Sequence, residues 1–492
     1  MKRRHAFLIT ILLAGTASQA LAAPATPDEA QRLTTALQAY LGSEPGVVSV
    51  MPNGETYELK IDAGPLLAKI KDPKVSASLS PLVMNMASLG GGKWKVDQDQ
   101  PLDLSFKADG AADISVKVAS LKGTGVFDEA LGLFETSSTD VSGITLKETV
   151  MAEGQGVTNV DYTLDSMHQE MTMQSDGNGG VNGTVKQTIT GLKETFNMPA
   201  NPQAGTPPMD FVLTAPASTS DAKLTGYKAK PLLELLAFAV GHADKTAVVN
   251  DQAQLKDKLR AALPLWLTIE GSGNVTDMKL QTMLGEFAMP KVDFEIEATG
   301  IVKEAKLREK VVVSDLATPP GLVPPWATDM VPHKLAFDFN VGGVDLASPA
   351  ALLLDKADFS KDPPVPKELE PELLKLLMPN GNFSVGLGPS AIVNKIAELN
   401  LEGNMSVNPN APPGEVPGFT SMIGFKGFDA MVAALQKVPP EMGAQQAVPA
   451  LMMARGMAKN EADGSLSWKI ESGPGGAILV NGTDVTKMGG GQ

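Results

Sequence analysis

The chain contains no cysteine among its 492 residues, and aromatic side chains make up only 5% of it. The first absence excludes disulfide bonds, thiolate metal sites and cysteine nucleophiles. The second means that a β-rich core has to be built from Leu, Val, Ile, Ala and Met. Stability therefore depends on packing alone.

Long hydrophobic runs are also scarce. The apolar stretch Ala6 to Ala14 follows the basic Lys2 to Arg4 and precedes the small residues around Ala20 to Ala22. It is too short to cross a bilayer, which takes about 20 apolar residues. The pattern predicts a secretory signal peptide cleaved after Ala22. We therefore expect export to the periplasm, with no integral membrane segment after cleavage.

Positive charge is in short supply. Removal of Lys2, Arg3 and Arg4 with the signal peptide leaves 38 basic side chains against 56 acidic ones, a formal net charge of −18. Such a surface repels phosphate backbones and anionic headgroups. The charge therefore excludes nucleic acid as an expected partner.

What the chain has in quantity is alternation of apolar and polar residues with a period of two. This pattern predicts antiparallel strands with one wet face. Asp109-Gly110 additionally indicates a hairpin. The clearest runs are Tyr57–Ile61, Leu102–Ala108, Ile114–Val118, Val160–Leu164, Met171–Met173, Thr184–Thr190, Val292–Ala298, Leu335–Val341, Phe383–Leu387, Leu399–Val407, Leu466–Ile470 and Ile478–Val480.

A helix with readable ends opens the mature chain. Thr26 is placed to cap it, Pro27 suits its first position, Glu29 would complete a capping box, and Gly42 marks its end. Its apolar face is predicted to dock on a sheet rather than on a membrane, because its polar face is not basic. That face consists of Ala30, Leu33, Leu37, Tyr40 and Leu41.

Other helices are predicted in two places. Leu232–Val240 and Gln252–Leu263 form a helical insert, and Phe428–Lys437 and Glu441–Met457 lie near the C-terminus. Together, the helical segments cover about a fifth of the chain, below the typical share. Three proline-rich connectors separate the later strands, at 319–325, 363–371 and 409–417.

These elements predict an α+β fold that is mainly antiparallel β. At this length we expect either elongated curved sheets or two β-rich lobes, with several packed helices. The predicted divisions are a signal peptide at 1–22, an N-terminal β-rich lobe at 23–228 that opens with a helix, a helical insert at 229–263, and a C-terminal β-rich lobe at 264–492 with helices near 428–457. A duplication of the two lobes is a further hypothesis.

His168 is the most interesting of the three mature histidines. With Glu170, Asp161 and Asp165 nearby, it could join a metal site or a general-base pair. We favour an exposed strand histidine, because residues of mixed parity on one strand do not all point to one side. His242 ends a predicted helix, where it complements the helix dipole. His333 only begins a strand.

Two further features have a functional and an ordinary interpretation. The segment Asp176 to Gly180 resembles a calcium loop but lacks the closing Glu, so a hairpin tip is favoured. Methionine pairs could bind copper(I), although core packing explains the same spacing and is favoured. These methionines are Met84 and Met86, Met171 and Met173, and Met452, Met453 and Met457.

The sequence also lacks the usual catalytic motifs: a nucleophile elbow, a zinc-protease helix, a P-loop and a dinucleotide fingerprint. We therefore expect no enzyme activity, no catalytic residues, no metal site and no cofactor, and the identity of any ligand-binding residues stays open.

Some strand segments resemble those of known bacterial envelope proteins. Phe337 to Val341 and Leu399 to Gly403 look like strand repeats of AsmA-like proteins, and Leu479 to Gly482 resembles the closing strand of signal-peptide-bearing envelope proteins of unknown function. The resemblance implies an envelope location and a long β-rich fold, and transfers no functional residue. The sequence differs from AsmA-like proteins in lacking their usual N-terminal membrane anchor, which argues against a bridging role.

Three functional hypotheses follow. The first is a non-enzymatic periplasmic protein that binds a lipid, another hydrophobic ligand or a partner along a β-sheet groove. The second is a structural or interaction module of the envelope with a closed core, and the third, ranked last, is an enzyme with an unfamiliar site. An unfilled apolar groove would favour the first, and an interior filled by helices would contradict it.

Overall fold

The computed structural model describes residues 24–70, 72–152, 156–200, 207–242, 244–412, 416–473 and 476–486. The predicted signal peptide lies outside these ranges, as do residues 413–415 of the third proline-rich connector. Strands hold 52% of the residues and helices 23%. This balance confirms a mainly antiparallel β architecture, and of the two predicted arrangements the structure has one large, open, curved sheet.

Within the described ranges, ten strands precede the helical insert. They are β1 (Val48–Asn53), β2 (Thr56–Ile61), β3 (Val75–Leu79), β4 (Leu82–Gly90), β5 (Lys93–Ala108), β6 (Ala112–Asp128), β7 (Leu133–Ala152), β8 (Gly156–Ser175), β9 (Val181–Met198) and β10 (Met209–Tyr227).

Eleven more strands of the described chain follow the insert. They are β11 (Thr268–Thr282), β12 (Gly285–Thr299), β13 (Ala305–Ser314), β14 (Lys334–Val344), β15 (Phe383–Val393), β16 (Glu398–Val407), β17 (Gly418–Lys426), β18 (Lys459–Asn460), β19 (Leu466–Ser472), β20 (Ile478–Val480) and β21 (Thr483–Asp484).

The helices are short. They are α1 (Pro27–Leu41), α2 (Gly64–Leu67), α3 (Ala229–Gly241), α4 (Lys245–Asn250), α5 (Gln252–Ala262), α6 (Ala347–Lys356), α7 (Glu370–Leu377), α8 (Phe428–Leu435) and α9 (Ala447–Gly456), with 3₁₀ turns at Pro325–Met330, Lys367–Leu369, Pro440–Met442 and Ala444–Gln446. The helix predicted over Glu441–Met457 is wrong in its first half. That half is two 3₁₀ turns around Gly443, whose φ of 71° interrupts a helix.

The sheet follows the chain with few exceptions. From β5 to β17 each strand pairs antiparallel with the next. One edge runs β1, β2, β4, β5, and the other runs β17, β19, β20, β21. Strands β3 and β18 pair with parts of β5 and β19. Because β10 and β11 share twelve residue pairs across the insert, the segments on both sides of it build one sheet.

Helix α1 begins and ends where its sequence signals predict, but its capping box does not form. Thr26 Oγ1 accepts a hydrogen bond from the Glu29 N–H at 3.3 Å, and Gly42 ends the helix with a φ of 91°. The Glu29 carboxylate instead pairs with Arg32 at 2.8 Å, and the Thr26 N–H donates to the Tyr57 hydroxyl at 3.0 Å. A partner from β2 has therefore replaced the expected local one.

Two hydrophobic clusters lie where helices cover the sheet. In the first, α1 packs Ala30 and Leu33 against β1, β2, β4 and β5, around Tyr57 and Trp94, whose rings meet edge to face with centroids 5.8 Å apart. In the second, α8 and α9 cover β17, β19 and β20 around Phe428 and Trp468. The helices of the insert form a row with α1, α6 and α7 at one end of the strands.

Candidate functional site: an apolar face with a crease

A line of irregular residues crosses the middle of the sheet. Gly143, Gly191, Asp277 and Asp315 have φ between 51° and 66°, which strands rarely contain. In the strand register these residues lie next to one another, alternating with Asp165 and two prolines. We call this line the crease; its members are Gly143, Asp165, Gly191, Pro216, Asp277, Pro290 and Asp315.

The crease shifts the alternation of side chains by one residue. On β7, Val141 and Ile144 pair with Met167 and Leu164 of β8, so apolar residues three apart share one face. A shift on one strand alone would break the pairing. Because neighbouring strands shift at the same place, the ladder continues without a change of register. The apolar residues on both sides of the crease therefore lie on one face, which Thr139, Gln169 and Gln187 interrupt towards the insert.

Five apolar side chains close to the crease are buried although they belong to neither helix-packed cluster of the described chain, whereas Ile144, Met167 and Leu192 are half buried. An uncovered flat sheet would leave such side chains half exposed. The sheet is curved, and we name the part of its apolar face around these buried side chains the trough. The floor of the trough consists of Val118, Val141, Leu164, Ala215 and Val292, all buried.

The walls of the trough are half-buried apolar side chains on the strand halves that lead away from the insert. Leu104, Val116, Leu146 and Tyr162 follow one another across β5 to β8. Further along, the paired rings of Phe196 and Phe211 stack with centroids 4.9 Å apart. The wall residues are Leu104, Val116, Leu146, Tyr162, Phe196, Phe211, Leu213 and Phe287.

The same face continues beyond the trough as an exposed patch. Its residues lie on β12, β13, β14 and β16, and each is more than a third exposed. Phe337 stacks on Phe339 within this patch, with centroids 6.1 Å apart. Exposed apolar patches often mark binding sites on soluble proteins; in this one, Glu309 lies between Ile296 and Phe339 in the register. The patch consists of Ile296, Leu307, Phe339, Val341 and Met405.

Three carboxylates interrupt the apolar face, Glu148, Glu194 and Glu309. In the register, Glu194 lies opposite Tyr162, a wall residue of the trough. Burial, reinforced by the charge of Glu194, raises the pKa of Tyr162 above its ordinary value. The phenol is therefore neutral at physiological pH, and the trough carries a hydroxyl that can hydrogen-bond an uncharged polar group.

The opposite face of the sheet is polar and bears many ion pairs. Its most buried member is Asp338, which accepts hydrogen bonds from Nε and Nη2 of Arg308 at 2.8 and 2.6 Å. The hydrogen bond to Asp338 is the main reason that the pKa of Arg308 is raised. Lys310 and Arg308 also bind Glu295, and its pKa is lowered, first by the Lys310 hydrogen bond. These groups neutralise one another, which is typical of a solvated structural face.

His168 lies on this polar face and is 43% exposed. Its Nδ1 is 2.7 Å from Asp140, and its Nε2 is 3.7 Å from Glu170. The Asp140 hydrogen bond is the main cause that raises the pKa of His168. The prediction of an exposed strand histidine is confirmed. The parity argument behind it was wrong, because β8 shifts its alternation at Asp165 and thereby places Asp161, His168 and Glu170 on the same face.

The other histidines also lie where predicted. His242 caps α3, with Nδ1 donating to the Phe238 carbonyl at 2.8 Å and Nε2 2.8 Å from Asp251. His333 comes directly before β14; its backbone N–H donates to the Val393 carbonyl, and its carbonyl accepts from the Leu316 N–H. In the described part of the chain, no group of three or more His, Asp or Glu side chains is arranged to hold a metal ion.

The segment Asp176 to Gly180 is the tip of the β8–β9 hairpin, as favoured. The Asn178 and Gly180 N–H groups donate to the Asp176 carboxylate at 2.7 and 2.9 Å, which lowers its pKa. The methionines considered as copper(I) ligands differ in burial. Met86 and Met173 are buried, whereas Met452 and Met453 are exposed on α9.

Sequence reasoning found the apolar runs but missed the crease. The sequence does contain signals of the crease: Gly and Pro residues within the alternating runs, and pairs of apolar residues three positions apart. Within the described ranges, no helix is long and apolar enough to cross a membrane.

Comparisons of the chain with protein-family models, with curated proteins and with solved structures give no match.

Proposed function

We propose that the protein is an exported, periplasmic, non-enzymatic protein that binds a lipid along the trough of its sheet. The observation that carries the proposal is the apolar face, which extends from β5 to β12 between the two helix-packed clusters and has a buried floor and half-buried walls. An acyl chain that lies on this face would remove its own methylenes and those side chains from water, at about 25 cal/mol for each Å² buried.

The shape of the trough favours an elongated ligand. Its floor crosses the strands from β6 to β12, and neighbouring strands are about 4.8 Å apart, so it extends roughly 30 Å. This length suits an extended acyl chain better than a compact ring system. The neutral Tyr162 hydroxyl supplies a hydrogen-bonding group at the wall.

The predicted export and the charge of the chain support this function. The basic Lys2 to Arg4, the apolar Ala6 to Ala14 and the small residues around Ala22 support export. The net charge of −18 on the mature chain is repelled by anionic membrane surfaces. We therefore infer that lipid is held as single molecules and that the protein does not lie flat on a bilayer.

The test uses two variants of one strand. Leu146 faces the trough and Thr145 faces the polar side, and both are half buried. The wild-type protein, purified mildly and extracted for mass spectrometry, should carry lipid and should take up NBD-labelled phosphatidylethanolamine. Leu146→Asp places a charge in the trough and should reduce uptake at least tenfold, whereas Thr145→Asp should leave it unchanged.

Circular dichroism and thermal unfolding of both variants establish that the sheet is intact. A wild-type protein that carries no lipid and takes up none of the labelled lipid would contradict the proposal. If that ligand-free protein captured an envelope complex through the same face, the alternative function, a structural or interaction module of the envelope, would replace it.

A further inference from the structure

A second apolar space lies apart from the trough, between α8, α9 and the sheet. It has a volume of about 450 Å³ and is lined by side chains from both layers. The lining contains no polar residue among its thirteen members: Leu399, Ile423, Phe425, Phe428, Met431, Val432, Leu435, Leu451, Ala454, Met457, Trp468, Ile470 and Val480.

The only polar side-chain atom of these residues already has a partner, because the Trp468 Nε1–H donates to the Ala454 carbonyl at 2.7 Å. The cavity therefore offers no hydrogen bond to a ligand. Its volume of about 450 Å³ lies within the range of sites that hold small apolar ligands, roughly 300–1,000 Å³. A lining without hydrogen-bonding groups suits the alkyl chain of such a ligand.

The charge at the rim indicates which head group such a chain carries. The Arg455 guanidinium lies over the ring of Phe428, a lining residue, 5.7 Å from its centroid. It pairs with Asp429, and both side chains are more than a third exposed. A guanidinium binds a carboxylate through two parallel hydrogen bonds. A ligand carboxylate at this rim would take the place that Asp429 occupies.

We propose that this cavity binds one molecule of a long-chain fatty acid, with the chain between α8, α9 and the sheet and the carboxylate on Arg455. The proposal deepens the proposed function, because it adds a site for a single-chain ligand to a lipid-binding protein. Tetradecanoate, a single-chain ligand whose carboxylate would stay outside the cavity, is the probe for this site.

The test is a titration of the delipidated full-length chain with tetradecanoate. Trp468 lines the cavity, so a brominated analogue should quench its fluorescence, and calorimetry should give one site. Arg455→Leu should weaken binding at least tenfold. The matched control is Arg260→Leu, since Arg260 is also ion-paired and partly exposed, on α5. Leu451→Trp should fill the cavity and abolish binding.

Absence of saturable binding, or equal affinity of the wild type and Arg455→Leu, overturns the proposal. Tetradecanol, which lacks the carboxylate, should bind the wild type and Arg455→Leu equally and more weakly than the acid binds the wild type. The two proposals fail separately. Leu146→Asp should lose the labelled phospholipid and keep tetradecanoate, and a protein that carries phospholipid but binds no tetradecanoate contradicts only the cavity proposal.

Discussion

His242 shows how a single residue joins two helices of the insert. Its ring stacks on Phe238, with centroids 3.7 Å apart, while its two nitrogens reach the Phe238 carbonyl and Asp251. Both partners accept hydrogen bonds, so the doubly protonated ring satisfies them best. The Asp251 hydrogen bond is the main cause that raises the pKa of His242 above its ordinary 6.5, helped by the charges of Asp251 and Asp244.

A pH dependence of stability follows from this arrangement. A folded-state pKa above the unfolded value gives stability that is fully present below about pH 6.5 and is lost as pH rises through the folded pKa. The free energy of unfolding lost in His242→Gln should therefore be larger at pH 5.5 than at pH 8.5, as measured by urea denaturation. Asp251→Asn should remove most of this difference. A loss that is equal at both pH values would refute the assignment.

Residue-scale signals were predictable from the sequence where their partners are local. Thr26 and Gly42 delimit α1 because a cap involves the next few residues. The capping box predicted for Glu29 is wrong, because the Thr26 N–H donates to the Tyr57 hydroxyl, 31 residues away along the chain. The residues around Thr26 contain no pattern that predicts a partner so far along the chain.

At the scale of elements, the long strands depend on the crease. Alternation predicted where strands lie, but it divided β8 into the separate runs Val160–Leu164 and Met171–Met173. The structure has one strand of 20 residues, in which Leu164 and Met167 face the same side across Asp165. A period counted along one strand shows only an interruption at the crease, because the continued pairing depends on neighbouring strands that shift at the same place.

Gly191 provides a test of the crease. Its φ is 66°, and a Cβ at this position would overlap the Asp165 carboxylate on the neighbouring strand. Gly191→Ala should lower the free energy of unfolding by about 1–2 kcal/mol for the left-handed backbone and by a further 1–3 kcal/mol for the overlap. Denaturant titration measures the sum of these two losses in the free energy of unfolding.

The matched control is Gly177→Ala in the β8–β9 turn. Gly177 has a φ of 78°, with no atom within 4 Å of an added Cβ, so it should lose only the backbone contribution. Combining Gly191→Ala with Asp165→Gly should recover part of the loss. Equal losses for Gly177→Ala and Gly191→Ala would mean that close packing at the crease contributes nothing.

The whole molecule departs from a compact globule. Its accessible surface is 29352 Å², whereas a compact monomer of 51.5 kDa would have roughly 17,000 Å². Among the described residues, no large side chain reaches less than 2% exposure. The core is therefore thin, and the two helix-packed clusters seal only parts of one face. The low helix content of the sequence indicated a thin core. How much of the sheet the helices cover could not be predicted, because it depends on where they dock.

The elongated sheet predicts a measurable size. In the 21-stranded sheet, β3 shares one side of β5 with β4, and β18 shares one side of β19 with β20. These two short strands do not widen the sheet, so nineteen strands lie side by side. At 4.7–4.9 Å between neighbours, these strands extend roughly 85 Å along the hydrogen-bond direction, before bending and twist shorten the span. A compact chain of about 470 residues has a radius of gyration of about 23 Å. Small-angle scattering of the monomer, with the mass fixed by light scattering, should give roughly 27 Å or more. A monomer within about 1 Å of the compact value would mean that the sheet closes on itself in solution, and the trough would then be inaccessible to lipid.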